Sequence, residues 1–229
     1  MKNLSKKIKN NRQHIKTNKI YPVKEGIKLL KNLQLAKFNE SIDAAFHINI
    51  NTKKSEQNIR GSILLPYGTG KKSKIAVFAT GKNAEIAKML NVDAVGTEEL
   101  ADIIKKNKTK FDVVIASPDT MNIVSKLGPI LGPRGIMPNP KFGTVTENIE
   151  KSIQEAKIGK INYRNDKNGI IHSSFGKINF STTQLYQNLK ILFNAIKKSK
   201  PNQLKGIYCK KISLSSTMGP GIIIDHLSL

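Results

Sequence analysis

The residues best suited to chemistry share one face of a short stretch near position 215. In KKISLSSTMGPG (210–221), Lys211, Ser213, Ser215 and Thr217 fall on one parity and Ile212 and Leu214 on the other. Successive side chains of an extended strand point to opposite faces, so one face is apolar and the other small and hydroxyl-bearing. Hydroxyls both donate and accept hydrogen bonds, and short side chains let a large polar partner come close. This is the chemistry of contact with RNA phosphates and 2′-hydroxyls. Met218, Gly219, Pro220 and Gly221 then turn the chain without bulk in the way. An ordinary solvated strand followed by a tight turn fits the same residues, which by themselves leave both readings open.

Three other segments invite similar questions. Lys37 and Phe38 pair a phosphate-binding cation with a ring able to stack on a base or sugar, just before Ser41 opens a new alternation. Phe38 equally suits a core position at a strand start. Arg164 and Lys167 flank the tip of NYRNDKNGIIH (162–172), placed either to clamp phosphates or simply to be solvated. GPILGPRGIMPNPKFGT (128–144) holds four Gly and four Pro in seventeen residues, with two cations and no acid. It is expected to be a stiff, structured loop. Either it is a surface connection, or its backbone amides and Arg134 form a phosphate surface.

Other chemistries find little support. GTGKK (68–72) and TGK (80–82) are faintly like phosphate loops. No Gly lies five residues before Gly81, however, and the run at Gly68 does not link a strand to a helix, so turn-forming glycines are the better account. No nucleophile, base and orienting group can be placed together. The single Cys209 excludes an internal disulfide, and His14, His47, His172 and His226 are too far apart to suggest zinc-site spacing. No apolar run approaches the roughly 18 residues of a membrane span, and no secretory apolar core follows Met1. The expectation is a cytoplasmic chain that is not an enzyme and needs no metal or cofactor. The acid-free opening KNLSKKIKNNRQHIK (2–16) has the composition of an organellar transit sequence, but it reads as a mature basic segment because a helix starts almost directly after it.

Charge narrows the partner. The 39 Lys and Arg against 16 Asp and Glu give a net +23, which calls for a polyanion, either nucleic acid or an anionic membrane surface. No helix pattern combines a basic face with an exposed aromatic edge, which disfavours the membrane. Only Arg12, Arg60, Arg134 and Arg164 are arginines, so most of the charge is compact ammonium suited to phosphate contact.

The elements that must position these residues change style along the chain. Pro22 stands where a helix would begin, with Val23, Ile27, Leu30 and Leu33 at near-helical spacing. Ile42, Ala44, Phe46, Ile48 and Ile50 then alternate with Ser41, Asp43, Ala45, His47 and Asn49, which predicts a half-buried strand. Beyond Pro66, KIAVFAT (74–80), DAVG (93–96) and DVVIAS (112–117) are short apolar strands separated by helical stretches, the mark of a small parallel sheet covered on both faces. A last helix of this region is expected over about 147–157. After Gly159 the period returns to two: a hairpin turning at Asn168 and Gly169, a long helix from Leu185 to Ile196, and strands near 207–215 and 221–225.

Residues 1–66 hold one clear helix and one clear strand, too little for a core, and 161–229 share their antiparallel style. The chain is therefore expected to be α/β with two domains. One is a split α+β domain of 1–66 and 161–229 with a mainly antiparallel sheet, and the other a Rossmann-like insertion over 67–160. The insertion carries 15 basic and 10 acidic residues, which leaves 24 basic and 6 acidic, a net +18, on the split domain. The polyanion site is expected there.

GPILGPRGIMPNPKFGTV, RNDKNGIIH, SEQNIRGSILLPYGTGK (55–71) and STMGPG together resemble the bacterial ribosomal protein L-one family, over essentially the whole chain. The resemblance implies a split domain with a Rossmann-like insertion. It further implies binding to the stalk region of large-subunit ribosomal RNA, assistance to release of exit-site transfer RNA, and repression of the chain's own operon messenger RNA. A ribosome-associated cytoplasmic protein, monomeric when free of the large ribosomal subunit, follows. Carried over by position, the family's RNA surface falls on Lys37, Phe38 and Ser41, on Ser213, Ser215, Thr217, Met218, Gly219 and Pro220, and on Arg164 and Lys167. Lys211 stands where some relatives carry a small hydroxyl residue, which implies a phosphate contact there.

Overall fold

The computed structural model describes residues 13, 15, 19–34, 36–106, 110–201, 204 and 206–228. Of the basic segment 2–16, only Gln13 and Ile15 are among them, so its expected role lies outside the described residues. The elements in chain order are α1 (Val23–Asn32), β1 (Ser41–Ile48), β2 (Arg60–Leu64), β3 (Ile75–Phe78), α2 (Gly81–Met89), β4 (Ala94–Gly96), α3 (Glu98–Lys105) and β5 (Val113–Ala116). There follow α4 (Met121–Ser125), α5 (Gly128–Arg134), α6 (Ile149–Ile158), β6 (Lys160–Arg164), β7 (Ile170–Lys177), α7 (Thr182–Lys198), β8 (Cys209–Ser216) and β9 (Ile222–Ile224). The chain divides into two compact units, residues 1–70 with 161–229, and residues 71–160.

In the split unit a four-stranded sheet runs β7-β1-β8-β9, with every neighbouring pair antiparallel. The alternation of β1 decides how the sheet is used. Ile42, Ala44, Phe46 and Ile48 are buried and their intervening neighbours only half-buried, so one face meets the core and the other stays open. Helices α1 and α7 supply the other side of that core with Val23, Ile27 and Leu30, and with Leu185, Leu189, Leu192 and Ile196. Pro22 sits at the N-cap of α1, where its missing N–H is not needed. Ser181 caps α7 reciprocally with Gln184. Strand β2, which the sequence pattern did not reveal, pairs with β6 in a separate two-stranded sheet.

Asn188 is a fully buried polar side chain of α7. Its Nδ2 donates to the carbonyls of Gly68 (3.0 Å) and Phe175 (2.9 Å), and its Oδ1 accepts from the Tyr67 N–H (3.3 Å). One amide thus ties α7 to β7 and to the turn after β2.

In the inserted unit the sheet β4-β3-β5 is wholly parallel. Ala76 and Phe78 of β3 enter one core with Leu100, Ile104, Val124, Leu127 and Leu131, while Ile75 and Val77 enter another with Ala87, Ile149 and Ile153. Both faces are therefore covered, as the apolar runs require. Segment 128–144 is not a plain loop: Gly128–Arg134 forms a helix and Pro140–Phe142 a 3-10 turn. Pro129 is tolerated in the first helical turn, and Pro133 lies next to the end, where the chain leaves through Gly135 in the left-handed conformation. The amides of Ile130, Leu131, Gly135, Ile136, Phe142, Gly143 and Thr144 all donate to carbonyls within or next to the segment, so these seven are committed inside the protein.

At the mouth of β5, Asp112 accepts from Lys71 Nζ (2.6 Å) and the Lys74 N–H (3.1 Å). Burial pushes this carboxyl up, but those two bonds and the charges of Lys71 and Lys74 outweigh it and hold the group below the ordinary carboxylate value. Its stabilisation is then present above the unfolded value of about 4 and is lost as pH falls through the lowered folded value.

Two outcomes test this packing. Asn188→Ala should cost about 3 kcal/mol in urea unfolding, since it strands buried backbone groups, and a change within about 0.5 kcal/mol would contradict the role assigned. The stability gap between wild type and Asp112→Asn should be clear at neutral pH and shrink below about pH 4; an equal gap at both pH values would show that ionisation of Asp112 is irrelevant.

Candidate RNA interface

The open face of the split unit's sheet is built in rows across β7, β1 and β8. Ser41 lies beside Lys177 and Thr217, and Asp43 beside Ser174 and Ser215. Ala45 lies beside His172 and Ser213, and His47 beside Ile170 and Lys211. Lys211, Thr217 and His172 are exposed; Ser213, Ser215, Ser174 and Ser41 are half-buried. A register shift between His47 and Ile48 leaves Lys210 extra in β8, so two consecutive lysines are exposed at that point.

At one end of β1 the ladder continues one rung past the strands. The Thr217 N–H donates to Ser41 O (3.1 Å), the Ser41 N–H donates to Thr217 Oγ1 (3.0 Å), and that hydroxyl donates back to Ser41 O (3.3 Å). A hydroxyl has one proton and two lone pairs, so one lone pair of Thr217 remains for a donor such as a 2′-hydroxyl. Lys177 Nζ holds Ser41 Oγ at 2.8 Å. Glu40, fully buried, accepts from the Ala36 N–H (2.9 Å) and the Met218 N–H (3.3 Å). The sequence-predicted Lys37, Phe38, Ser41, Thr217, Met218, Gly219 and Pro220 are thereby gathered at this end. Phe38 is 52% and Met218 53% exposed, large apolar groups left open to solvent.

Arg164 and Lys167 are placed elsewhere. They line a groove of about 650 Å³ with Asn58, Arg60, Asn165 and His172, on the side where β1 ends. The expected hairpin over 162–172 is formed only at its tip, by the antiparallel bridge Asn165–Ile171 and the Asp166 N–H to Ile170 O bond (2.9 Å), while farther out β6 pairs with β2 and β7 with β1. The chain still turns here, because the Asp166 carboxylate accepts from the N–H groups of Asn168 (2.8 Å) and Ile170 (2.7 Å). Gly169, at φ +75°, passes its carbonyl to the Ile48 N–H (2.9 Å); a Cβ there would lie 3.0 Å from Ile48 O. β1 rises about 3.4 Å per residue, so the groove and the Thr217 end are roughly 20 Å apart, with Ser215, Ser213 and Lys211 between them.

Sequence reasoning missed Arg60, His172, Ser174, Lys177 and Glu40. The parity of His172 and Ser174 in IIHSSFGK carried a signal for the first pair of these face residues. Arg60 and Glu40 gave none, because Arg60 is placed by the pairing of β2 with β6 and Glu40 by the distant Met218 N–H as well as the nearby Ala36 N–H.

The profile described as the Ribosomal protein L1p/L10e family matches residues 29–220, more than four fifths of the chain. The chain belongs to that family. "Large ribosomal subunit protein uL1" of Buchnera aphidicola subsp. Cinara cedri (strain Cc) is 67% identical over 226 residues, covering 99% of this chain and 100% of that relative. The L1p/L10e match spans every candidate residue from Lys37 to Pro220. The family is structural and not enzymatic. Burial pushes the Cys209 thiol up, away from thiolate, and burial with the nearby Tyr163 and Cys209 pushes the Tyr208 hydroxyl up. Among the described residues no three His, Cys, Asp or Glu come together as metal ligands, and no helix is long and apolar enough to cross a membrane.

The turn after β8 is a tight fit. Ser216 is 4% exposed, its Oγ has no hydrogen-bond partner among the described residues, and a Cβ on Gly219 would fall 2.3 Å from it. Gly219→Ala should therefore destabilise by about 1–2 kcal/mol, and Ser216→Ala in the same chain should restore the stability. If the double variant stays as unstable as the single one in thermal unfolding, the Ser216 contact is not what demands glycine.

Proposed function

We propose that this chain is a large-subunit ribosomal protein whose split unit binds the stalk region of large-subunit (23S) ribosomal RNA. The observation that carries this reading is the open sheet face. It presents hydroxyls in successive rows and cations at both ends, on the part of the chain that carries the net +18. Short hydroxyl side chains admit a sugar–phosphate backbone closely and recognise its 2′-hydroxyls, whereas lysines and arginines at the margins supply salt-sensitive attraction. Phe38 and Met218 add apolar surface for unstacked bases or sugars. The name of the 67% identical relative supports placing the chain in the large subunit.

In this reading Lys37, Phe38, Ser41, Ser213, Ser215, Thr217, Met218, Gly219 and Pro220 contact the ribosomal RNA, with Lys211 on a phosphate. Arg164 and Lys167, in a separate cationic groove, attract RNA backbone at the far end of the face. The chain also aids release of exit-site transfer RNA, and it represses its own operon's messenger RNA through the face that holds ribosomal RNA. One face cannot hold both RNAs, so ribosomal RNA displaces the messenger by competition. The protein is cytoplasmic and ribosome-associated, and monomeric when free. The inserted Rossmann-like unit, with a net of only +5, is not the main polyanion site.

Binding of a stalk RNA fragment should weaken linearly with log salt, by about 0.7–0.9 log units per phosphate neutralised. Thr217→Val and Met218→Asp should each lower affinity for that fragment roughly tenfold or more while changing affinity for an unrelated RNA little. Equal losses on both RNAs in filter binding or calorimetry would sink the assignment of this face.

A further inference from the structure

Glu40 is one of only six acids in the split region, and it lies under the surface where a negative charge is least welcome to a polyanion. It is also fully buried, and burying a carboxylate is costly unless strong partners compensate. Two of its partners are backbone groups of segments far apart in sequence. The Ala36 N–H leads directly into Lys37 and Phe38, and the Met218 N–H stands in the turn that continues to Gly219 and Pro220. Its own carbonyl accepts from the Ile178 N–H (3.0 Å), which fixes it to the end of β7 as well.

The sheet ladder cannot do this. β1 begins at Ser41 and β8 ends at Ser216, and the last rung is the Ser41–Thr217 pair. Beyond that rung both chains leave the pleat, and no strand partner orients Lys37, Phe38 or Met218. Backbone N–H groups there need an acceptor that reaches both sides at once, and a carboxylate has two oxygens with paired lone pairs.

We propose that Glu40 is a positioning residue for RNA binding: its carboxylate fixes the Lys37–Phe38 segment and the Met218–Gly219 turn into one preformed surface. This rests on the open face being the RNA site. The carboxylate does not touch RNA; it holds Phe38 and Met218 outward before RNA arrives, so that ordering them is not charged against binding.

Glu40→Gln tests this in the full chain. The amide keeps the shape but offers one oxygen and one NH2, so one of the two backbone N–H groups faces a donor. Affinity for a stalk fragment of large-subunit ribosomal RNA should fall roughly tenfold or more, with an unchanged salt slope because no phosphate contact is lost. Affinity for an unrelated duplex should hold or rise slightly, since a negative charge is gone. A purely structural role would lower melting temperature yet leave the specific-to-unrelated ratio intact in the folded protein, and that outcome overturns the proposal. Wild-type protein with no preference for the stalk fragment would instead overturn the RNA-site reading on which it rests. Should Glu40→Gln not fold, amide exchange in the wild type decides: matched protection of the Ala36 and Met218 N–H groups supports the clamp, and free exchange at either one removes it.

Discussion

The pairing of β1 with β7 on one side and β8 on the other is the interaction on which the rest of the split unit depends. It brings a strand at 41–48 against strands at 170–177 and 209–216. Because side chains alternate, that single register puts Ile42, Ala44, Phe46 and Ile48 into the core and lines up Ser41, Asp43, Ala45 and His47 with the hydroxyls and cations of their neighbours. A slip of one residue would send the hydroxyl rows inward and the isoleucines outward. Core and candidate interface are therefore set by the same hydrogen bonds, and neither can be changed alone.

The two units solve the problem of a basic chain differently. In the insertion, Lys71, Lys105 and Lys160 meet Asp112, Asp102 and Glu155 at 2.6, 3.3 and 2.7 Å, so three of its fifteen cations are answered by acids within the same unit. In the split unit several acids are committed to backbone groups: Asp166 to its turn and Glu40 to the segments flanking the last rung. Acids used in this way shape the surface without cancelling its lysines, which keep their attraction for a polyanion.

Much of the fold was legible in the sequence because its periodicities are strong. The alternation from Ser41, the apolar runs around Ile75 and Val113, and the helical spacing from Leu185 to Ile196 all lead to elements of the expected type. The face shared by Lys211, Ser213 and Ser215 was legible for the same reason. Strand β2 was not, since RGSIL has no clean alternation and its residues range from exposed to half-buried. The helix in 128–134 was hidden by Pro129 and Pro133, whose positions near the helix ends, not their number, decide whether they are tolerated. The turn at Asn168 and Gly169 was visible, but its arms pair elsewhere, and pairing is a long-range property that local pattern does not encode. For the same reason the division of the candidate residues into a Thr217 end and an Arg164 groove could not be read from spacing.

The order of the strands along the chain has a consequence for synthesis. The central strand β1 emerges early, but its partners β7 and β8 follow more than 120 and 160 residues later, while the insertion between them has all its own strands and helices in sequence. At roughly 5–20 residues per second, the insertion can fold while β1 still waits for both of its ladder partners, β7 and β8. A chain stopped before Cys209 would have a complete parallel sheet but would lack Ser213, Ser215 and Thr217 from the hydroxyl rows. Completion of the candidate interface thus requires that translation has passed β8.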